Sequence, residues 1–254
     1  MNMITKGIFH RIPCFNKDAS ETLANRVLDL REHFIERNKL TDNIRVNGKE
    51  LDNPTTFYTL GTSTYLDMNE AHGEAASFTN ELLLDNFYDM YETLIPCLSE
   101  ALNEKVKFMP NLNIPGFHIF DTNNLPTPGV NGGGSIHRDY PDYSAEFDFN
   151  YIRPISFTAL LKSPAKGAGF NYWDDKKLDS EIEYFQTFCG MPDDMYDRVE
   201  LMSKYFEYNV GEIVIHDGST LHQVANMVKT TKGENRISLQ GHGVLTNEGY
   251  IIYF

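Results

Sequence analysis

Two stretches of the first hundred residues follow a helical pattern of hydrophobic and polar positions, and residues 43–64 between them, broken by Gly48, Pro54 and Gly61, are predicted to be loops with a short extended piece. The apolar residues of the two helical stretches recur every three or four positions, which places them on one face of a helix. They are Leu23, Val27, Leu30 and Phe34 in a first stretch, and Leu83, Phe87, Met90, Leu94 and Leu98 in a second stretch that runs from about Glu74 to Asn103. Asp18 and Glu21 fit a capping box at the start of the first helix, and Pro96 predicts a kink or a break in the second. Residues 1–105 are therefore predicted to be mainly helical.

After Lys105 the pattern changes to short runs of strand-forming residues separated by Gly, Pro and Asp. These runs are residues 106–108, 116–120, 155–161, 169–173, 212–216 and 236–239. Such a series predicts an antiparallel sandwich or barrel. Residues 174–208 form a long, polar, acidic connection, which is either an active-site lid or a solvated surface excursion. We expect one α+β, mainly β domain over residues 1–254, with N-terminal helices packed on a β core over 106–254.

Composition narrows the classes of protein. The 254 residues with 41% hydrophobic content are enough for a buried core, and the net charge of −14 argues against a nucleic-acid partner. Cys14, Cys97 and Cys189 are odd in number and widely spaced, as expected for reduced thiols in the cytoplasm. A signal peptide is not evident, and no apolar run reaches the ~20 residues of a membrane span. We therefore expect a cytoplasmic protein without a membrane partner; the sequence does not indicate its oligomeric state.

The triplet His137-Arg138-Asp139 is the first sign of chemistry. On a strand, its His and Asp point the same way, because successive side chains alternate faces. With one more His they would form a two-His, one-carboxylate metal site, the ligand set of non-haem Fe(II) oxygenases. The triplet alone is weak evidence, since polar residues two positions apart are common and the chain has 8 His.

Two downstream histidines compete for the third ligand position. His216 ends the run 212–216, whereas His222 follows a turn at Gly218 and opens another extended segment. The local pattern leaves both open, and the family resemblance described below, in which a turn precedes the strand-borne distal His, favours His222. His216 is then expected beside the site or at the surface.

Arg236 and Ser238 alternate with apolar Ile237 and Leu239, so they share one face of a strand. A guanidinium on an inner face is costly unless it meets an anion. Arg binds carboxylates through two hydrogen bonds, and a Ser hydroxyl can add a third. A dicarboxylate cosubstrate with its other end on the metal fits this pair. The alternative is a structural Arg paired with an internal Asp or Glu.

The order HxD, distal His and RxS resembles the Fe(II)/2-oxoglutarate-dependent dioxygenase superfamily over about residues 106–246. The resemblance implies a double-stranded β-helix (jelly-roll) core, with Fe(II), 2-oxoglutarate and O₂ as reactants. His137, Asp139 and His222 would be the catalytic metal ligands, and Arg236 with Ser238 would bind 2-oxoglutarate. The halogenating branch replaces the carboxylate with Gly or Ala, so Asp139 argues against halogenation. The resemblance implies hydroxylation, with desaturation or cyclisation as variants.

The substrate is expected to be a small molecule. The acidic balance favours a cationic or zwitterionic one, such as a free amino acid or a related metabolite. His118, Tyr140 and Trp173 are candidates for contact with it, although residues of these types are more often packing residues. Two other functions stay open: a Zn or Mn jelly-roll hydrolase or isomerase, and a non-catalytic jelly-roll binding protein.

Overall fold

The structure is a computed structural model in which two helices and two main sheets can be described. The described residues are 9–37, 45–46, 49–50, 56–63, 67, 72–109, 112–121, 137–139, 154–164, 169–174, 180, 198–199, 201–218, 220–225 and 234–254. Helix α1 spans Lys17–Asp29, a 3₁₀ turn follows at Arg31–His33, and helix α2 spans His72–Leu102.

Helix α1 begins where a side chain satisfies its first free N–H groups. The Asn16 side chain accepts a hydrogen bond of 2.8 Å from the backbone N–H of Ala19. The predicted capping box is therefore wrong, because Asp18 lies inside the first turn. Leu23 and Val27 are buried as predicted.

Helix α2 buries its predicted apolar stripe, since Leu83, Phe87, Met90, Leu94 and Leu98 are all 2% exposed or less. The kink prediction was wrong in position. The helix continues through Pro96, and its non-helical residue is Phe87, with φ −135° and ψ 23°. The Phe87 ring packs 4.7 Å from the Phe117 ring, and the Arg26 guanidinium lies over it. The kink thus lies at a residue that packs against Phe117 and Arg26, and not at the proline.

Every predicted β run contains a strand, and the described residues include others that the pattern did not reveal. The strands are β1 His10–Pro13, β2 Ile35–Glu36, β3 Arg45–Val46, β4 Lys49–Glu50, β5 Thr56–Leu60, β6 Val106–Lys107, β7 Gly116–Asp121, β8 Pro154–Lys162, β9 Phe170–Trp173, β10 Lys204–Phe206, β11 Glu212–His216, β12 Leu221–Val224, β13 Asn235–Thr246 and β14 Gly249–Tyr253. The prediction of a mainly helical N-terminal part was incomplete, because that part also supplies β1, β2 and β5 to the large sheet.

The strands form a nine-stranded sheet in the order β1-β11-β8-β13-β7-β5-β2, with β14 paired to both β13 and β6. The β14–β6 pair is parallel, and the other pairs of this sheet are antiparallel. A second, three-stranded antiparallel sheet has the order β10-β9-β12. A separate hairpin joins β3 and β4. The prediction of a mainly β protein with antiparallel sheets is confirmed.

The two faces of the nine-stranded sheet have opposite character. Phe117, Ile155 and Ile237 on one face belong to the same hydrophobic cluster as Leu23 of α1 and Leu83 of α2. Alternate residues of the same strands point the other way, as the pleat requires. On that face the buried side chains are largely polar: His118, Ser156, Thr158, His216, Arg236, Ser238 and His242. We call it the polar face.

No helix in the described part of the chain combines the length and apolar character that crossing a bilayer requires.

Two adjacent leucines of α2 test the assignment of its buried face. Leu83 is fully buried, whereas Leu84 is 37% exposed. We expect Leu83→Ala to lower the free energy of unfolding by about 2–5 kcal/mol, because it leaves a cavity in the core. Leu84→Ala should cost less than about 1 kcal/mol. Urea denaturation of the two variants measures the difference, and equal losses would contradict this burial.

Candidate metal centre

His137 and His222 are paired through their backbones. Each residue donates its N–H to the carbonyl oxygen of the other at 2.9 Å, which makes an antiparallel bridge. His222 lies on β12 in the three-stranded sheet, opposite Tyr172 of β9. The two imidazole rings therefore stand side by side, with centroids 4.4 Å apart.

Asp139 is fixed to the same turn that leads into β12. Its N–H donates to the carbonyl oxygen of Gly218 at 3.0 Å. Gly218 has a φ of +71°, and a Cβ added there would lie 2.6 Å from the Asp139 carbonyl oxygen. Glycine is required at this position both for the backbone conformation and for the close approach.

His137, Asp139 and His222 each offer one ligand atom, and these atoms all lie within 4.8 Å of one another. The Nε2 atom of His137 is 3.5 Å from Asp139 Oδ1, and that of His222 is 3.3 Å from Asp139 Oδ2. Burial raises the pKa of Asp139, but the charge of His222 and the contacts of both histidine rings with the carboxylate outweigh it, so the pKa lies well below its usual range. The carboxylate is therefore ionised at neutral pH.

The hydrogen bond of the His222 ring fixes its tautomer. Its Nδ1 lies 2.7 Å from the carbonyl oxygen of Thr220. A carbonyl can only accept, so Nδ1 carries a proton, and Nε2, which faces Asp139, is the nitrogen that can offer a lone pair to a metal. This is the arrangement that orients histidine ligands in metal sites.

His216 has the opposite arrangement. The N–H of Gly218 donates to His216 Nδ1 at 3.1 Å, so in this ring Nδ1 holds the lone pair and Nε2 carries the proton. His216 Nε2 is 3.9 Å from Asp139 Oδ2. Burial, followed by the charge of His222, lowers the pKa of His216 to about 3. The geometry thus favours His222 over His216 as a ligand, and His216 is buried rather than at the surface.

The donor set fits a divalent transition metal. Asp139 Oδ2 is a buried carboxylate oxygen that accepts no hydrogen bond of good geometry from the described residues. Such an atom costs free energy unless a proton donor or a metal meets it. The His137 side chain is 41% exposed, so the group opens on that side. Two imidazoles and one carboxylate leave coordination positions for other ligands.

Arg236 and Ser238 lie on the polar face of β13, as their alternation predicts. Arg236 is 1% exposed and Ser238 is fully buried, and Arg236 Nη1 donates to Ser238 Oγ at 2.9 Å. The guanidinium lies 5.5 Å from the Phe120 ring centroid and 5.8 Å from that of Tyr208. Burial lowers the pKa of Arg236 to about 10, so the side chain keeps its positive charge at neutral pH.

Sequence reasoning missed a tyrosine beside this arginine. Tyr208 is 8% exposed, and its hydroxyl hydrogen-bonds the side chain of Thr158. Burial raises the pKa of Tyr208 to about 12, and the same group is influenced by the charges of both Arg236 and Asp139. The Tyr208 ring lies 5.9 Å from the ring of Phe170, which itself stacks on His222 at 4.6 Å. No periodic signal marked it, because it ends the segment interpreted as an insertion.

His242 and Ser156 were also missed. His242 Nδ1 lies 3.0 Å from Ser156 Oγ, and both residues are buried on the polar face. Burial lowers the pKa of His242, which is also influenced by Asp139 and by both candidate histidine ligands. The sequence could have indicated His242, because it continues the alternation of Arg236 and Ser238 along the long strand β13. The predicted strand ended too early, at Leu239.

The three residues predicted to contact substrate lie in different places. His118 pairs with Ser238 across β7 and β13, on the polar face. Burial and then the charge of Arg236 lower its pKa well below the usual range. Trp173 is buried, and its indole N–H donates to the carbonyl oxygen of Val199 at 2.7 Å. Its neighbour Tyr172 is the register partner of His222, so Trp173 points to the opposite face of β9. The structure does not bring Trp173 to the candidate ligands, and Tyr140 lies outside the described residues.

No protein-family model and no curated protein matches the chain. The chain is similar to solved structures of 2-oxoglutarate/Fe(II)-dependent oxygenases. An N-substituted L-amino acid dioxygenase from Burkholderia ambifaria AMMD is 13% identical, with 72% of this chain and 68% of that chain covered and a TM-score of 0.46. A Pseudomonas putida prolyl-4-hydroxylase is 13% identical, with 96% and 91% covered and a TM-score of 0.40. HygX from Streptomyces hygroscopicus, solved with nickel and 2-oxoglutarate bound, is 12% identical, with 93% and 82% covered and a TM-score of 0.43.

The contact between Gly218 and Asp139 gives a first prediction for the site. We expect Gly218→Ala to weaken divalent-metal binding by about 10-fold or more, because its Cβ would push Asp139 away from the two histidines. Isothermal titration with Mn²⁺ measures the affinity. Gly218→Asn is the matched variant, since Asn tolerates the left-handed conformation but still carries a Cβ. Normal affinity in the Asn variant would show that backbone conformation, and not the close approach, is what glycine provides.

Proposed function

We propose that the protein is an Fe(II)- and 2-oxoglutarate-dependent oxygenase, in which the two main sheets are those of a jelly-roll and the whole chain is one domain. The observation that carries the proposal is the burial of two opposite charges, a carboxylate and a guanidinium, that are linked through ring contacts of Tyr208 and Phe170 with Arg236 and His222. An ionised Asp139 lies between two candidate histidine ligands, and a buried, charged Arg236 lies on the polar face nearby. Asp139 and the two histidines suit a metal cation. Arg236 suits the carboxylate at the other end of an acid that chelates this metal.

In this proposal His137, Asp139 and His222 hold Fe(II). When bound, the iron supplies the sites at which 2-oxoglutarate and O₂ react, giving succinate, CO₂ and an oxygenated substrate. The chain contributes orientation. The Thr220 carbonyl keeps the Nε2 lone pair of His222 free, and the backbone bridge fixes the spacing of the two histidines.

Arg236 and Ser238 bind the distal carboxylate of 2-oxoglutarate. The Ser238 hydroxyl already holds Arg236 Nη1, so the guanidinium loses little side-chain freedom when the anion arrives. The rings of Phe120 and Tyr208 lie 5.5 and 5.8 Å from the guanidinium, which is buried from water. Exclusion of water strengthens the ion pair between guanidinium and carboxylate.

The substrate is a small molecule such as a free amino acid or related metabolite, and the reaction is hydroxylation. The net charge of −14 supports a cationic or zwitterionic substrate. His118 supports the choice of a polar molecule, because its ring lies on the polar face. Tyr140 stays a candidate through its position next to Asp139 in sequence. Asp139 supports oxygenation over halogenation, because it occupies the position that a halide would need.

The direct test is aerobic turnover of 2-oxoglutarate by the iron-loaded protein. We expect succinate release that a panel of amino acids stimulates, with a product heavier by one oxygen in the mass spectrum. Asp139→Ala and His222→Ala should abolish both iron uptake and succinate release. Tyr88→Ala, at a 60% exposed position on α2, is the control that should keep them. Stoichiometric zinc or manganese uptake without succinate would favour the hydrolase or isomerase, and no metal uptake would favour a binding protein.

The cosubstrate site has its own test. We expect Ser238→Ala to raise the KM for 2-oxoglutarate about 2- to 10-fold, through loss of one hydrogen bond. Arg236→Gln should raise it by about 10-fold or more, because a charge-assisted contact is lost. Steady-state kinetics measure the KM, and Mn²⁺ affinity shows whether the metal centre is intact. A fall in stability with an unchanged KM would mean that Arg236 is a structural residue paired with an internal acid.

A further inference from the structure

The proposed metal centre contains a third imidazole, which the ligand set does not use. His216 is 3% exposed at the end of β11, and its ring lies 5.0 Å from the ring of His222. Phe9 and Phe170 pack against it at 5.6 and 5.3 Å. The ring therefore has little room to turn, and its two nitrogens face fixed neighbours.

Those neighbours define what His216 can do. The Gly218 N–H points at Nδ1 from 3.1 Å, which requires a lone pair on that nitrogen. A protonated ring would place two hydrogens against each other there, so the ring is neutral with its proton on Nε2. Because Nε2 carries a proton, it has no lone pair for a metal. In this proposal the Nε2 atom of His216 donates a hydrogen bond, whereas the Nε2 atom of His222 binds the metal.

An acceptor that faces this nitrogen is Asp139. His216 Nε2 lies 3.9 Å from Oδ2, the buried carboxylate oxygen without a good hydrogen bond among the described residues. The separation is about 1 Å longer than an N–H···O hydrogen bond, so a hydrogen bond requires the carboxylate to move toward the ring.

We propose that His216 is a positioning residue that donates its Nε2–H to Oδ2 of Asp139 and so leaves Oδ1 as the oxygen that binds the metal. This rests on the proposed function, because it needs a metal held by Asp139. The hydrogen bond would fix the orientation of the carboxylate before the metal arrives. Partners of this kind typically contribute about 10- to 100-fold to metal affinity.

The test uses Co²⁺ alone, without 2-oxoglutarate, and follows its visible absorption during titration. We expect His216→Phe to weaken Co²⁺ binding about 10- to 100-fold while the spectrum at saturation stays that of the wild type, since the ligands are unchanged. His216→Gln should recover most of the affinity, because the Gln amide N–H can occupy the position of the imidazole Nε2–H. Phe9→Leu is the packing control, since it removes a contact with His216 but no proton donor.

The outcomes separate this inference from the proposed function. A wild-type protein that binds no Co²⁺ would overturn the proposed function. Wild-type binding with unchanged affinity in His216→Phe would overturn the role of His216 alone. Loss of the Co²⁺ spectrum in His216→Phe, as in His222→Ala, would make His216 a ligand. An equal loss in Phe9→Leu would show that packing, and not the donated proton, is responsible.

Discussion

The reciprocal backbone hydrogen bonds between His137 and His222 are the constraint on which the candidate site depends. They join a segment far from β12 in sequence to the three-stranded sheet, with both N–H···O distances at 2.9 Å. A third bond, from the Asp139 N–H to the Gly218 carbonyl, fixes the carboxylate. Buried peptide groups need partners, so these bonds are satisfied whether or not a metal is bound. The positions of the three candidate ligands are therefore set by the backbone, without help from a metal.

Because successive strand residues point to opposite faces, one face of the nine-stranded sheet packs in the hydrophobic core and the other carries the candidate site residues. Ile237 and Leu239 of β13 join the hydrophobic cluster with the helices, while Arg236 and Ser238 between them lie on the polar face. Burying so many polar groups is costly unless they bond one another. Pairs such as Arg236 with Ser238 and His242 with Ser156 meet that need. Substitutions in the apolar cluster should therefore affect stability more than the positions of the site residues.

The sequence predicts what depends on local periodicity and misses what depends on pairing partners. The apolar stripe from Leu83 to Leu98 and the β runs follow from spacing alone. The joining of β1 and β5 to the large sheet does not, because strand pairing is decided by distant residues. The helix cap at Asn16 and the kink at Phe87 likewise depend on contacts that spacing does not encode. For the site, alternation was enough to place Arg236 and Ser238 on one face, but no pattern indicated Tyr208.

The choice between His216 and His222 shows how a single turn can assign chemical roles. The two rings are neighbours and both are buried, so residue type and burial cannot distinguish them. What distinguishes them is the backbone group that meets Nδ1: an N–H from Gly218 for His216 and a carbonyl from Thr220 for His222. The N–H leaves a proton on the far nitrogen, and the carbonyl leaves a lone pair there. Because the Gly218 carbonyl oxygen also accepts a hydrogen bond from the Asp139 N–H, the same turn holds the Asp139 carboxylate beside both His216 and the candidate ligand His222.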